Sequence, residues 1–277
     1  MKKINFCKMH GLGNDFIIFT DTNDEVKDIQ SKVQKLCHRN FGIGADGVMI
    51  VKNSDVAHVK MVLFNSDGSR ASMCGNGIRC FAKYVWDKGV VRENPLNIET
   101  DDGIKIAELS IKDHKVEEIK INMGKYSFES EDVPLSIDEK LINQEVLIND
   151  RKFNLTSLHL GVPHTIVFEK INDEVFEYGP IIEKHTLFKN NTNVNFVEVI
   201  SDKEINVKTW ERGAGATLAC GTGSSSSVVV CNILGYTGKN VKVNVPGGEM
   251  FIEIDGETVY MRGPAVIVYH GEVDIDE

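Results

Sequence analysis

The chain of 277 residues has no run of basic residues and no long apolar segment. Each absence excludes a class of partner. Nucleic acid and anionic membrane surfaces are gripped by clustered Lys and Arg, whereas this chain carries a formal charge of −10 and a pI near 5.4. A bilayer span needs roughly 20 apolar residues; the longest candidate, Val228 to Leu234, is about a third of that. The opening residues Met1 to Cys7 lack the apolar stretch of a secretory signal, so the expected location is the cytoplasm.

Six cysteines are present: Cys7, Cys37, Cys74, Cys80, Cys220 and Cys231. With 42% hydrophobic residues the chain can build a core without disulfide staples, and reduced thiols are expected. Metal ligation is not expected. Cys74 and Cys80 are six apart, which on a helix sets them about 240° apart rather than on one face.

What the chain does have is one pattern written twice. Phe64-Asn65-Ser66-Asp67-Gly68 leads to Cys74-Gly75-Asn76-Gly77, and Trp210-Glu211-Arg212-Gly213 leads to Cys220-Gly221-Thr222-Gly223. In both, an aromatic residue lies ten positions before the cysteine and a polar residue (Asn65, Glu211) nine before. The two cysteines are about half the chain apart.

The repeat extends further. Gly13-Asn14-Asp15-Phe16 and the apolar residues after it echo Gly161-Val162-Pro163-His164. Apolar spacing predicts a helix over Ile78 to Lys88, stopping at Gly89, and another over Ser224 to Leu234, stopping at Gly235. Each is followed by a hairpin, around Asp101-Asp102-Gly103 and around Pro246-Gly247-Gly248. β-Branched residues dominate Val116 to Ile121 and Asn195 to Ile200.

The length favours two domains. The first is expected over residues 1–120, with the last strand, in 264–277, returning to it; the second is expected over 121–263. The acidic stretch Phe128 to Asp138, with Pro134, reads as the crossing between them.

A thiol at a helix start has chemical consequences. The thiolate is the reactive form, and the unpaired N–H groups and dipole at a helix N-terminus favour it. The same N–H groups can hold a carboxylate, and Gly75, Gly77, Gly221 and Gly223 leave room for a close approach. Two such termini facing each other would hold one carboxylate and place a sulfur on each side of the adjacent carbon. One thiolate then removes a proton, the other thiol returns one from the opposite face, and the carbon is inverted with no metal or organic cofactor.

Taken singly, Cys-Gly-x-Gly before a helix is a turn and cap; the duplication is what argues for more. Cys80 and Cys231 lie inside the helices and read as packing residues, as do Cys7 and Cys37. Gly42-Ile43-Gly44-Ala45-Asp46-Gly47 fits a dinucleotide-binding spacing but runs into a strand, Val48 to Val51, where that motif needs a helix, so it reads as a turn. Gly213-Ala214-Gly215 lacks the lysine of a phosphate loop. His164 fits a group that tunes a neighbour's ionisation and a satisfied core histidine equally well.

These residues resemble the diaminopimelate epimerase family over nearly the whole chain. The specific stretches are Gly11-Leu12-Gly13-Asn14-Asp15-Phe16, Phe64 to Gly68, Cys74 to Ala82, Asn193-Val194-Asn195-Phe196, and Glu211 to Gly215 through Cys220 to Gly223. The resemblance implies an α/β (α+β) fold of two similar pseudo-symmetric domains, each a curled, mostly antiparallel sheet around a central helix, with the active site in the cleft between them. It implies a cofactor-independent isomerase of lysine biosynthesis with a small amino-acid substrate and, by analogy, a homodimer.

Cys74 and Cys220 then match the acid/base pair, and the main-chain N–H groups of Gly75, Asn76, Gly221 and Thr222 match those that hold the reacting carboxylate. Asn14, Asn65, Asn193, Glu211 and Arg212 match positions that recognise the rest of the substrate, the arginine suiting a distal carboxylate. His164 and Glu211 match residues that adjust the cysteines' ionisation. The chain departs from the family at Val162, where an Asn is frequent, at Gly47, where some members carry Gln, and at Ser224 to Ser227, where Ala and Cys are frequent. Two alternatives stay open: a two-cysteine racemase of another amino acid, and a thiol redox or binding protein.

Overall fold

The computed structural model describes residues 3–275, which form two compact units. The first runs to Ile121 and includes the segment from Gly263 onward; the second runs from Asn122 to Arg262.

In chain order the first unit contains β1 (Lys3–Gly11), β2 (Asn14–Thr20), α1 (Ile29–Cys37), β3 (Gly47–Lys52), β4 (Val59–Asn65), β5 (Arg70–Ala71), α2 (Gly75–Asp87), β6 (Leu96–Thr100), β7 (Gly103–Lys112) and β8 (Lys115–Lys125). The chain passes into the second unit within β8. There follow β9 (Gln144–Ile148), β10 (Arg151–Leu160), β11 (Val162–Phe168), α3 (Asp173–Phe176), α4 (Gly179–Glu183), β12 (Asn193–Ser201), β13 (Glu204–Glu211) and β14 (Gly215–Thr217). Then come α5 (Gly221–Ile233), β15 (Asn240–Val245), β16 (Gly248–Asp255) and β17 (Thr258–Gly263). The chain returns to the first unit as β18 (Val266–Asp274).

The two units repeat one pairing scheme. In the first the order is β18-β1-β2-β3-β4-β6-β7-β8, with parallel pairs at β2–β3 and β4–β6 and the rest antiparallel. In the second it is β9-β10-β11-β12-β13-β15-β16-β17, parallel at β11–β12 and β13–β15. The short strands β5 and β14 hang on β4 and β13. The returning strand β18 thus takes, beside β1, the place that β9 takes beside β10.

The central strands of each sheet are covered on both faces, and period-2 alternation sorts their side chains between them. Ile17, Phe19, Val48, Ile50 and Phe64 join Val33, Leu36 and Cys37 of α1 in one apolar cluster. Leu155, Val167, Val194 and Phe196 do the same with Val175 of α3 and Ile182 of α4. The opposite faces meet α2 and α5. Residues 75–85 of α2 are all buried, and so is every residue from Gly223 to Cys231 of α5. A helix with no exposed side is a central one.

Two sequence expectations are corrected. Phe128 to Asp138 is not a crossing: Val133 and Leu135 are buried in the second unit's core, and Leu135 bridges to Phe188. Both central helices begin three residues earlier than apolar spacing indicated, because their first turns are glycine and small polar residues with no periodicity to read. The two leading hairpins also differ. Leu12 and Gly13 form a two-residue turn with φ of 56° and 87°, whereas Leu160 pairs with Val162 around Gly161 alone, at φ 73°.

Among the described residues no helix is long and apolar enough to cross a membrane.

Candidate active site

Both repeat cysteines are helix N-caps, and in both the sulfur itself makes the cap. Cys74 has extended backbone (φ −143°, ψ 121°), and its Sγ accepts the Gly77 N–H at 3.4 Å. Cys220 (φ −122°, ψ 113°) accepts the Gly223 N–H at 3.4 Å in the same way. A thiol fills the role usually taken by a Ser, Thr or Asp oxygen. The capped N–H and the helix dipole both favour negative charge on the sulfur. The fourth N–H in each turn goes to the cysteine's own carbonyl, from Ile78 at 2.8 Å and from Ser224 at 2.9 Å. The cap therefore leaves the N–H groups of Gly75 and Asn76, and of Gly221 and Thr222, outside its own bonds.

A side chain at the third helical position would meet close neighbours in both units. A Cβ on Gly77 would lie 2.3 Å from Met49 Cε and 3.2 Å from Phe16 Cζ; one on Gly223 would lie 2.2 Å from Asn195 Oδ1. Gly47 has its own reason, since a Cβ there would lie 2.5 Å from the Phe64 carbonyl oxygen. A side chain at that position would force the β4 main chain to shift.

Around Cys74, the thiol donates to Asn14 Oδ1 at 3.4 Å, and Asn14 Nδ2 donates to Asp46 Oδ2 at 2.8 Å. Asp46 also accepts from Arg39, whose guanidinium forks onto Asp15 at 2.8 and 3.2 Å. Burial pushes the Asp15 carboxyl up, but Arg39 and Lys8 outweigh it and hold the carboxyl at about 2. Asn14 is thus fixed by a charged cluster whose members are far apart in sequence. The Gly42–Gly47 segment, read from sequence only as a turn, supplies Asp46; the clue was an acid in a glycine-rich turn. Asn76 is buried and accepts from Arg79 Nη2 at 3.1 Å. Asn65, at the end of β4, is exposed and donates to Ser69 Oγ at 2.9 Å.

Around Cys220, Thr222 Oγ1 lies 3.5 Å from the sulfur. Asn193 spans two main-chain groups: its Nδ2 donates to the Pro163 carbonyl at 2.8 Å, and its Oδ1 accepts the Arg212 N–H at 2.9 Å. Glu211 and Arg212 sit at the end of β13, where buried Glu183 accepts from Gly213 N at 3.2 Å and Trp210 Nε1 at 2.8 Å and so fixes the turn. Arg212 Nη1 donates to the Asn190 carbonyl at 2.9 Å. His164 is fully buried. Val162 opens β11 half-buried, next to Gly161.

The other four cysteines are buried, and none of them caps a helix. Burial pushes Cys7 and Cys37 up to about 11, and Cys80 and Cys231 up to about 12. As thiols they are inert at neutral pH.

Comparison with known proteins gives the same picture at the level of the whole chain. The model of the diaminopimelate epimerase family matches residues 6–129 and 156–268. The diaminopimelate epimerase of Clostridium perfringens is 49% identical over 269 residues, covering 97% of this chain and 98% of that protein. Two solved structures share the fold. A PhzF-family phenazine biosynthesis protein from Bacillus anthracis superposes with a TM-score of 0.70 at 19% identity, covering 99% and 100% of the two chains. A hydroxyproline epimerase from Agrobacterium vitis gives 0.71 at 12% identity, covering 99% and 91%. With family model and close relatives spanning both cysteine-capped helices, the chain belongs to the diaminopimelate epimerase family.

Proposed function

We propose that the protein inverts one α-carbon of LL-2,6-diaminopimelate to give the meso isomer, a step of lysine biosynthesis, by proton transfer through Cys74 and Cys220. One observation carries the reading: at equivalent places in the two units, each of these sulfurs caps its own helix and accepts an N–H.

The electron balance needs no cofactor. The α C–H bond breaks toward one thiolate, forming its S–H. The pair left on carbon spreads into the carboxylate, whose growing charge is met by main-chain N–H groups of Gly75, Asn76, Gly221 and Thr222. The second thiol then gives up its proton to the opposite face and becomes the thiolate. The roles exchange in the reverse direction, in keeping with the likeness of the two caps. Arg212 suits the distal carboxylate as a planar two-pronged donor; Asn14, Asn65, Asn193 and Glu211 complete recognition, and His164 and Glu211 bear on the thiols' ionisation.

A cytoplasmic setting suits six free cysteines. A homodimer would cover Val266, Val268 and Tyr269, which β18 leaves exposed.

Val162 favours a second reading, a racemase of another amino acid, because an apolar side chain stands where an amide would contact a distal polar group. Incubation with LL-diaminopimelate and a panel of L-amino acids, followed by chiral chromatography, decides between them. Meso-diaminopimelate as the only inverted product supports the first reading. Inversion of a different amino acid alone would overturn it.

A further inference from the structure

The equivalence of the two units runs down to individual positions facing the central helices, and at three of those that carry a side chain in both units the chemistry differs. On β2 and β3 of the first unit, Phe16 pairs with Gly47 and Ile18 with Met49; on β11 and β12, His164 pairs with Asn193 and Ile166 with Asn195. Across the next strand, Met49 faces Leu63 and Asn195 faces Thr209. Phe16, Met49 and Leu63 therefore correspond to His164, Asn195 and Thr209. The first unit packs its capped turn with apolar side chains, so the fold itself does not require a polar set there. All three polar residues of the second unit are buried. Asn195 also reaches the capped turn, its Oδ1 occupying the space next to Gly223, whose N–H caps Cys220.

The hydrogen bonds in this set have a fixed direction. Asn195 Nδ2 lies 3.4 Å from the Thr165 carbonyl and 3.5 Å from the Asn193 carbonyl, both of which only accept. Its Oδ1 accepts from Thr209 Oγ1 at 3.0 Å. The amide is thus oriented with its NH2 toward His164 Nδ1, 3.1 Å away. An Nδ1 that accepts has no proton, so the proton of a neutral ring is on Nε2. Among the described residues His164 Nε2 is buried and has no hydrogen-bond partner.

We infer that Asn195 and Thr209 are positioning residues that lock His164 as the neutral Nε2–H tautomer, making it a fixed donor to negative charge at the head of α5 rather than a base. The substrate chemistry rests on the function proposed above; the tautomer does not. The imidazolium is disfavoured by burial first, with His159 on β10 and Arg212 beyond β13 adding to it, which together hold the ring at about 3. Cys220 heads α5, whose first turn packs on the face of the sheet that carries Asn195 and His164, so an anionic sulfur or carboxylate at that helix start is the charge this donor would serve. Because the first unit has only Phe16 at this position, the aid is given on one side of the reaction alone.

The test is nitrogen NMR on the full-length protein labelled with 15N-histidine, with His164→Phe used to assign the resonance. His164 should show a pyridine-type Nδ1 and a pyrrole-type Nε2, unchanged between about pH 5 and 8. A proton on Nδ1, or titration within that range, overturns the inference whether or not diaminopimelate is the substrate. With epimerisation as readout, Asn195→Met, which copies the first unit's residue, should lower kcat by up to about 10²-fold, the scale for one preorganised donor, with KM little changed. Thr209→Val should follow it and Thr209→Ser should restore turnover. Unchanged kcat in Asn195→Met, with the Nε2–H tautomer lost, would overturn the positioning role.

Discussion

Adding one methyl group at equivalent glycines should have unequal effects, and the inequality follows from what each methyl meets. In Gly77→Ala the new Cβ lies 2.3 Å from Met49 Cε, the free end of a flexible side chain. Turning that methionine costs about 0.5–1.5 kcal/mol, and replacing glycine in a helix returns up to about 1 kcal/mol. The net change is within about 1 kcal/mol. In Gly223→Ala the Cβ lies 2.2 Å from Asn195 Oδ1, which is held by Thr209, on an amide bonded to His164. Overpacking costs about 1–3 kcal/mol, and two strained hydrogen bonds add about 0.5–1.5 kcal/mol each. After the same helix gain the second unit should lose about 3 kcal/mol. The two tryptophans make the assay specific, since Trp86 lies in the first unit and Trp210 in the second. Urea unfolding followed by Trp210 fluorescence in a Trp86→Phe background should show a midpoint about 1–2 M lower for Gly223→Ala. Trp86, in a Trp210→Phe background, should report little change for Gly77→Ala. Equal losses, or a larger loss for Gly77→Ala, would refute the packing argument.

Acid stability should report the buried imidazole. The His164 pKa is lowered in the fold from 6.5 to about 3, first by burial; the folded state binds fewer protons, so this contribution is present above pH 6.5 and is lost as pH falls toward 3. Urea midpoints read by Trp210 should decline over that window and decline less in His164→Phe; parallel slopes would contradict the assignment. Alkylation of the native protein near neutral pH, mapped by mass spectrometry, should modify Cys74 and Cys220 and spare Cys7, Cys37, Cys80 and Cys231, whose pKa values burial raises to about 11 or 12. Equal labelling at Cys80 or Cys231 would show that the helix interiors open readily. Ser226 Oγ is buried with no partner among the described residues, so Ser226→Ala should stabilise the second unit by about 1 kcal/mol; a loss of that size in the urea midpoint would mean the hydroxyl is satisfied.

The sequence made legible those features that repeat along the chain. The duplicated Cys-Gly-x-Gly turns, the apolar helix interiors and the glycine-centred hairpins each leave a local pattern, and that pattern alone puts both cysteines at helix starts. Contacts between distant segments left none. The Asp46–Asn14 bond joins two turns across a parallel strand pair, and the Thr209–Asn195–His164 chain runs across three strands. Phe128 to Asp138 misled because its charge is exposed while Val133 and Leu135, buried in the second unit, are too few to set a period. His164 could not be assigned from its neighbours in sequence, since what fixes its proton lies on β12.

The most direct test of two-thiol inversion is the fate of solvent hydrogen in the first turnovers. LL-diaminopimelate incubated in deuterated water with a thiol reductant should yield meso product carrying one deuterium at the inverted carbon, while the remaining substrate stays unlabelled. Cys74→Ser and Cys220→Ser keep a good helix cap and should each abolish net inversion. Deuterium appearing in substrate as fast as in product, or inversion surviving the loss of either thiol, would contradict a mechanism in which two sulfurs serve opposite faces of one carbon.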